Sequence, residues 1–355
     1  MTAVRPPDIT MLFSESAVGI LSMSSPTKHP TFRAGDRVIV RSPEEILATL
    51  DAEGTLDGMP FMPEMLEWCG KSFRVERRAE KTCVDAPPPE HPNRRFTAQD
   101  VVFLEDLRCD GSAHDGCQRG CKIFWKEDWL RADDSVDSST RESSRTEDDE
   151  SLARLKTKSD ENRYFCQSTQ LFNATEAFPG NQKLWRFRIM VQEVRNGDRS
   201  VPEMLRLVAL WFWQRVLRAV HGDQWLRGPH ERAPVASLNL EPGESVRIKS
   251  RPEMEATLDR KRTNRGLKVC HEMTRCCGGE AEVRERVDRM IIESTGQMIE
   301  LRNTVSLRNI RKKRTTMPDS QCLCAYETGD CPRGELMYWR EIWLERVDSP
   351  EHVQS

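Results

Sequence analysis

No stretch of the 355 residues runs to ~18–20 uncharged apolar side chains, so no segment is expected to span a membrane. The early apolar stretch "AVGILSM" follows Glu15, and it has neither the basic lead nor the small-residue cleavage site of a secretory leader. The common catalytic signatures are missing too. There is no G-x-x-x-x-G-K-[ST], no G-x-G-x-x-G after a strand, no H-E-x-x-H and no G-x-S-x-G, which removes the usual nucleotide-binding, metalloprotease and hydrolase readings. Histidine is scarce, with seven in all and none at the same place in both halves of the chain, so no Ser-His-Asp or Cys-His order can be drawn. The 54 basic and 57 acidic residues nearly cancel to −3, leaving no global field for nucleic acid, and none is expected as a partner. Local basic runs such as "RNIRKKR" (308–314) read as solvated strand ends or loops.

What remains is a polar chain, 37% hydrophobic and 31% charged, with a mean hydropathy of −0.66 and room for two or three domains. Its twelve cysteines, with no leader before them, argue for reduced thiols or metal ligands rather than a disulfide framework. A cytoplasmic protein is the expectation.

The most informative feature is an internal duplication. Residues 35–75, "GDRVIVRSPEEILATLDAEGTLDGMPFMPEMLEWCGKSFRV", align without gaps to 243–283, "GESVRIKSRPEMEATLDRKRTNRGLKVCHEMTRCCGGEAEV", with 15 of 41 positions identical at an offset of 208. Chance would give roughly two or three. Further on, "CQRGCKIFWKEDWL" (117–130) matches "CPRGELMYWREIWL" (331–344) at an offset of 214. Each unit therefore opens on G-[DE]-x-V and closes on W-[KR]-E-x-W-L.

Both units read mainly as β. "DRVIVRS" and "ESVRIKS" alternate apolar and polar residues, and Ser42 with Glu45, or Ser250 with Glu253, has the spacing of a capping box on a short helix. "ERVDRMIIESTGQMIELRN" reads as a hairpin turning at Ser294–Gly296. The expected fold is mainly β with a helical insert: tandem SH3-like small barrels joined by a helical segment, with an OB-like barrel as the competitor. The expected order is a disordered tail over 1–33, a first barrel over 34–132 and an acidic Ser-rich disordered linker over 133–162. A helical connector follows over 163–235, then a second barrel over 236–348 and a tail over 349–355. Within the connector, the helix of residues 201–221 places Glu203, Arg206, Gln214, Arg218 and His221 on one arc. Leu205, Val208, Ala209, Phe212, Val216 and Val220 fill the other. Packing on a barrel, or bridging the two, is the plain reading; peripheral contact with a membrane surface is the sharper one.

On these motifs the chain resembles an uncharacterised bacterial family of duplicated, cysteine-containing small-barrel proteins. The shared pattern is "RSPEEILATLD…G…PFMPEM…CG" and "CDGSAH…GCQ.GC..FWKE.WL" in the first unit. In the second it is "RG…EM…CGG…V" and "YWREIWLERV". The likeness covers nearly all of the chain outside the acidic linker and the termini, and it implies no reaction. The chain departs from the pattern at Cys276, where the family carries an aromatic, and in longer insertions at 133–162 and 311–320; Cys276 is set aside on that ground.

The duplication also sorts the candidate site residues. Cys69 pairs with Cys277, Cys117 with Cys331, and Cys109 with Cys322 or Cys324, while His114 and Cys121 belong to the first unit alone, where Glu335 stands opposite Cys121. Zinc takes four thiolate or imidazole ligands. Cys69, Cys109, Cys117 and Cys121, with His114 able to replace one, would form a first site. Cys277, Cys322, Cys331 and either Cys324 or Glu335 would form a second. Two other readings stand beside zinc: small buried hydrophobes kept in both copies, and redox or nucleophilic thiols of lowered pKa. Trp125 and Trp129, like Trp339 and Trp343, are either a core-filling pair or an aromatic floor for a ligand, with Glu127 or Glu341 beside it. The functional expectation is an accessory binding or scaffold protein with a protein or small-molecule partner. Its rival is a metal- or thiol-dependent enzyme of a biosynthetic pathway, centred on the loop 109–121.

Overall fold

A computed structural model of the chain describes residues 32–85, 93–133, 155–178, 182–221, 226, 228–312, 315–319 and 333–347. The chain is mostly β. Its first strand, β1 (Arg37–Val40), buries Val38 and Val40 completely while Arg37 faces outward, which is the alternation its sequence carries. Ser42 then caps a short helix, Pro43–Leu47: its hydroxyl accepts from the Glu45 N–H and the Glu45 carboxylate accepts from its own N–H. The hairpin β2 (Thr55–Leu56) and β3 (Met59–Pro60) turns on Asp57 and Gly58, both at positive φ. A 3-10 helix, Pro63–Trp68, leads into β4 (Ser72–Arg78). The hairpin β5 (Thr82–Cys83) and β6 (Asn93–Phe96) precedes β7 (Val101–Leu104) and β8 (Trp125–Lys126). One 3-10 turn, Glu127–Trp129, then separates β8 from β9 (Leu130–Ala132).

The sheet runs β8-β7-β4-β1-β9. Its two edge strands are neighbours in the chain, joined only by that turn, so the sheet curls into a half-barrel around a filled core. Trp125 and Trp129 are fully buried there, in edge-to-face contact with Trp68 and Phe61 at centroid distances of 6.1 and 5.3 Å.

The region expected to be linker and helical connector divides differently. Residues 155–162 are ordered: β10 (Lys158–Asp160) pairs with β11 (Arg163–Tyr164), and Leu155 is buried in the first core. Cys166 and Leu171 join that core, the short helix Gln167–Gln170 lies between them, and β12 (Thr175–Ala177) pairs with β6. The stretch 155–178 therefore completes the first unit, and the helical insert proper is Gln182–Arg195 and Val201–His221. The tail expected over 1–33 gives up Phe32, which is buried in the first core; the rest of it to residue 31, the acidic stretch 134–154 and the tail 349–355 lie outside the described residues.

The second unit repeats the first in strand order. β13 (Ser245–Ile248), the helix Arg251–Glu255, the hairpin β14 (Thr263–Asn264) and β15 (Leu267–Lys268), the helix His271–Cys276 and β16 (Glu280–Arg286) follow the earlier sequence of elements. Gly266 turns the hairpin at the place of Gly58. The hairpin expected at Ser294–Gly296 forms between β17 (Arg289–Ile291) and β18 (Met298–Glu300). After β19 (Thr304–Lys312) and β20 (Thr315–Asp319), β21 (Tyr338–Arg340) passes through the 3-10 turn Glu341–Trp343 to β22 (Leu344–Arg346). The path β20-β19-β16-β13-β22, with β21 also paired to β19, matches the first sheet with one strand added.

Candidate functional site

The segment 107–121 crosses from the first half-barrel to the second. Its tip is a tight loop closed by backbone bonds from His114 and Gly116 to the Gly111 carbonyl and from Cys117 to the His114 carbonyl. Gly111 has φ +70°, and a Cβ there would lie 2.1 Å from the Cys117 carbonyl oxygen, so only glycine fits. The loop then docks on the hairpin β17–β18. Gln118 donates its backbone N–H to the Arg289 carbonyl at 3.0 Å, and its side-chain oxygen accepts from the backbone of Asp288 and Arg289. The Cys117 sulfur accepts from the Ile291 N–H at 3.4 Å.

Four charged side chains close the joint. Arg119 donates to Glu335 at 2.6 Å, to Glu293 at 3.2 Å and to the Ile291 carbonyl at 3.1 Å. Arg333 bonds Glu293, Glu335, the Ser168 hydroxyl and the Cys83 carbonyl. The free oxygen of Glu293 accepts from the Asp85 N–H at 2.9 Å. Two guanidiniums thus face two carboxylates, and the cluster is neutral. Burial alone would push the Glu335 carboxyl up, but Arg119 and Arg333 outweigh it and hold it down at about 2.

Beside this cluster a cavity of about 30 Å³ is lined by Cys109, Cys117, Cys121 and Cys166 together with His114 and Arg333. His114 is fully engaged: Nδ1 lies 2.5 Å from a Glu64 oxygen and Nε2 lies 3.0 Å from the Phe165 carbonyl. A carbonyl can only accept, so Nε2 carries a proton. Burial would lower the imidazole's pKa, but the Glu64 carboxylate and the Phe165 carbonyl outweigh that and raise it above the ordinary histidine range. The thiols go the other way. Burial pushes Cys121 up to about 12 against the pull of Arg119 and Arg333, and it also raises Cys109, beside Glu64, and Cys166. None of these three is a ready nucleophile at neutral pH.

Cys69 is not at this cavity. Its sulfur sits in the first core, 3.9 Å from the Met65 carbonyl, and burial raises its pKa to about 12. Cys277 does the same in the second core, 3.7 Å from the Met273 carbonyl, so this repeated pair fills one core position twice. Cys166, from outside the duplicated blocks, stands where a fourth thiol was sought. Cys322, Cys324 and Cys331 lie outside the described residues. Among the described residues no three His, Cys, Asp or Glu side chains converge as metal ligands.

The aromatic floor is not formed either, because Trp125, Trp129, Trp339 and Trp343 are all fully buried. Glu127 and Glu341, expected beside a ligand, instead grip the chain entering each sheet. Glu127 accepts from the Phe32 N–H and from Arg78, which also donates to the Phe32 carbonyl. Glu341 accepts from the N–H groups of Leu238, Asn239 and Leu240 and from Arg286, which also donates to the Leu240 carbonyl. Phe32, Arg78 and Glu127 thus match Leu240, Arg286 and Glu341. The arginines were within reach of the sequence, since the offset of 208 holds for three residues past the aligned block. Arg333 carried the same kind of signal, since it repeats Arg119 at the offset of 214, whereas Glu293 and Cys166 left none.

The chain matches no family model, no curated protein and no solved structure. The likeness to a bacterial family rests on the quoted motifs alone.

Proposed function

We propose that the chain is a non-catalytic binding or scaffold protein: two small SH3-like barrels fixed in one body by the segment 107–121, carrying a helical arm for a partner. One observation carries this reading. The histidine, Arg119 and the three thiols of the loop are all committed there: His114 between Glu64 and the Phe165 carbonyl, Arg119 between two carboxylates, Cys117 against the Ile291 N–H, and Cys109 and Cys121 held as thiols by burial. The adjoining cavity, at about 30 Å³, suits a water rather than a metabolite, whose sites run to roughly 300 Å³ and more. None of the nine described cysteines is joined in a disulfide, which fits a reducing compartment, and cytoplasmic residence is part of the proposal. Iodoacetamide labelling of the native protein at pH 7, read by mass spectrometry, tests it. Cys109, Cys121 and Cys166 should stay unlabelled until the protein is unfolded; rapid native labelling of any of them would point to the thiol enzyme instead.

A metal centre is the second reading, favoured by four thiols lining one cavity. A soft cation would displace their protons on binding. Metal analysis of protein purified without added metal, with Cys117→Ser and Cys121→Ser alongside, decides it. One zinc per chain, lost in both variants, establishes the centre; metal-free wild type returns the thiols to packing.

A further inference from the structure

The helix Val201–His221 is 21 residues long, about 31 Å at 1.5 Å per residue. Met204, Leu207 and Trp211 are half-buried on one side. At 100° per residue Val208, Val201, Phe212, Leu205, Val216 and Trp213 follow one another across an arc of about 140° on the other side. That arc holds no charged residue, and all six side chains are exposed: Leu205 at 65%, Phe212 at 62% and Trp213 at 60%. The expectation that this face packs on a barrel is therefore not met. Single exposed apolar residues need no explanation, but a continuous stripe of this length does.

The borders of the stripe say what covers it. Arg215 flanks one edge and Arg206 the other, both exposed. The preceding helix, Gln182–Arg195, adds exposed Phe187, Arg188 and Arg195. Residues 182–221 carry eight Lys or Arg and three Asp or Glu, 8 − 3 = +5, in a chain whose total is −3. The three acids do not oppose the arginines at the stripe. Glu193 is buried among Arg77, Lys81 and Arg199, Asp198 accepts from the Arg78 N–H, and Glu203 caps its own helix through Ser200 on the far side of the wheel.

We propose that this face of the helix docks the protein on an anionic lipid surface, with the apolar stripe entering the headgroup boundary and the arginines meeting lipid phosphates and carboxylates. Trp213 and Phe212 have the amphipathic or apolar bulk that settles at that depth. A second copy is disfavoured by the same charges, since pairing would bring two arginine-edged stripes together. Among the described residues no helix is long and apolar enough to cross a membrane, so the contact is with one leaflet. The inference deepens the binding-protein reading. It is tested on the helix and that reading on the loop, so either can fail alone.

The test is co-sedimentation of the full chain with vesicles of phosphatidylcholine alone and of phosphatidylcholine mixed with phosphatidylserine. Binding should need the anionic lipid and weaken at least about tenfold from low to high salt. Phe212→Glu and the pair Arg206→Glu with Arg215→Glu should each abolish it while leaving the melting temperature unchanged, because these side chains are exposed. Absence of binding to the mixed vesicles at low salt, or undiminished binding by Phe212→Glu, overturns the proposal. So does a wild-type dimer in analytical ultracentrifugation that Phe212→Glu dissolves, which would give the face to a second copy.

Discussion

Glu293→Gln is the direct test that the segment 107–121 serves as a joint. Glu293 stands on the turn between β17 and β18 in the second unit, and each of its bonds leaves that hairpin: to Arg119, Arg333, Ser168 and the Asp85 N–H. Its side chain and that of Arg333 are 4% and 3% exposed, so water cannot replace what is lost. Glutamine preserves shape and one acceptor but removes the charge, leaving two guanidiniums to share Glu335. Removing one partner of a buried ion pair costs about 3–5 kcal/mol, mostly the penalty of the charge left behind, which is a loss of roughly two to four orders of magnitude in folding equilibrium. Urea unfolding at pH 7, followed in parallel by tryptophan emission and far-ultraviolet circular dichroism, reads it. Arg333→Met should cost a similar amount, and the double variant should cost less than the two singles together by about 1–3 kcal/mol, because the orphaned charge is gone. A loss below about 1 kcal/mol for Glu293→Gln, or strict additivity in the double variant, would refute the argument that this cluster holds the two units together.

Two further outcomes follow from the same loop. Gly111→Ala combines a left-handed backbone, worth about 1–2 kcal/mol against any L side chain, with a Cβ driven into the Cys117 carbonyl, so its thermal midpoint should fall clearly, whereas Gly116→Ala, with no atom within 4 Å of the added Cβ, should lose only the backbone part. Because His114 has its folded pKa raised, its contribution to stability is complete below the unfolded value of about 6.5 and is lost as pH rises through the folded one; the urea midpoint should drop across that alkaline window in wild type and not in His114→Gln, and equal pH profiles would contradict the imidazolium–carboxylate pair.

Local structure was legible where one residue type can do one job. Strict alternation marked β1 and β13, the Ser–Glu spacing marked the short helices, and the turn residues Ser294–Gly296 marked the hairpin β17–β18. The edges of the first unit were not legible, for a physical reason. β10 is exposed along its whole length, so its composition continues that of the polar stretch before it and carries no period of two. The helix 201–221 shows the complementary limit. Its two arcs were visible in the sequence, but a pattern says which face is apolar and not whether anything covers it. The charged joint was half hidden: Arg119 and Arg333 repeat at the offset of 214, but nothing marked the carboxylates they meet. Arg119, Ser168, Glu293 and Arg333 are spread over more than half of the chain, among 54 basic and 57 acidic residues that offer no means of choosing partners.

The difference between the two copies, the strongest hint of catalysis in the sequence, lies where the copies meet. Each unit carries a hairpin between its second and third core strands: β5–β6 in the first, β17–β18 in the second. In the first unit β12 from the same unit covers the β6 edge. In the second unit Gln118 and Arg119 of the first unit bind the backbone of Arg289 and Ile291. The reverse contact forms as well: Arg333, at the repeat position of Arg119, donates to the Cys83 carbonyl on β5, the counterpart of the Ile291 carbonyl that Arg119 reaches on β17. Two repeats docked in this way keep the arginine in both copies, while the side chain two residues on differs, Cys121 in one and Glu335 in the other. His114 locks the loop that docks, through Glu64 and Phe165 of its own unit, and Cys121 opposes the Arg119–Glu335 pair that seals it. Both are thus engaged at the joint or in the loop that supports it.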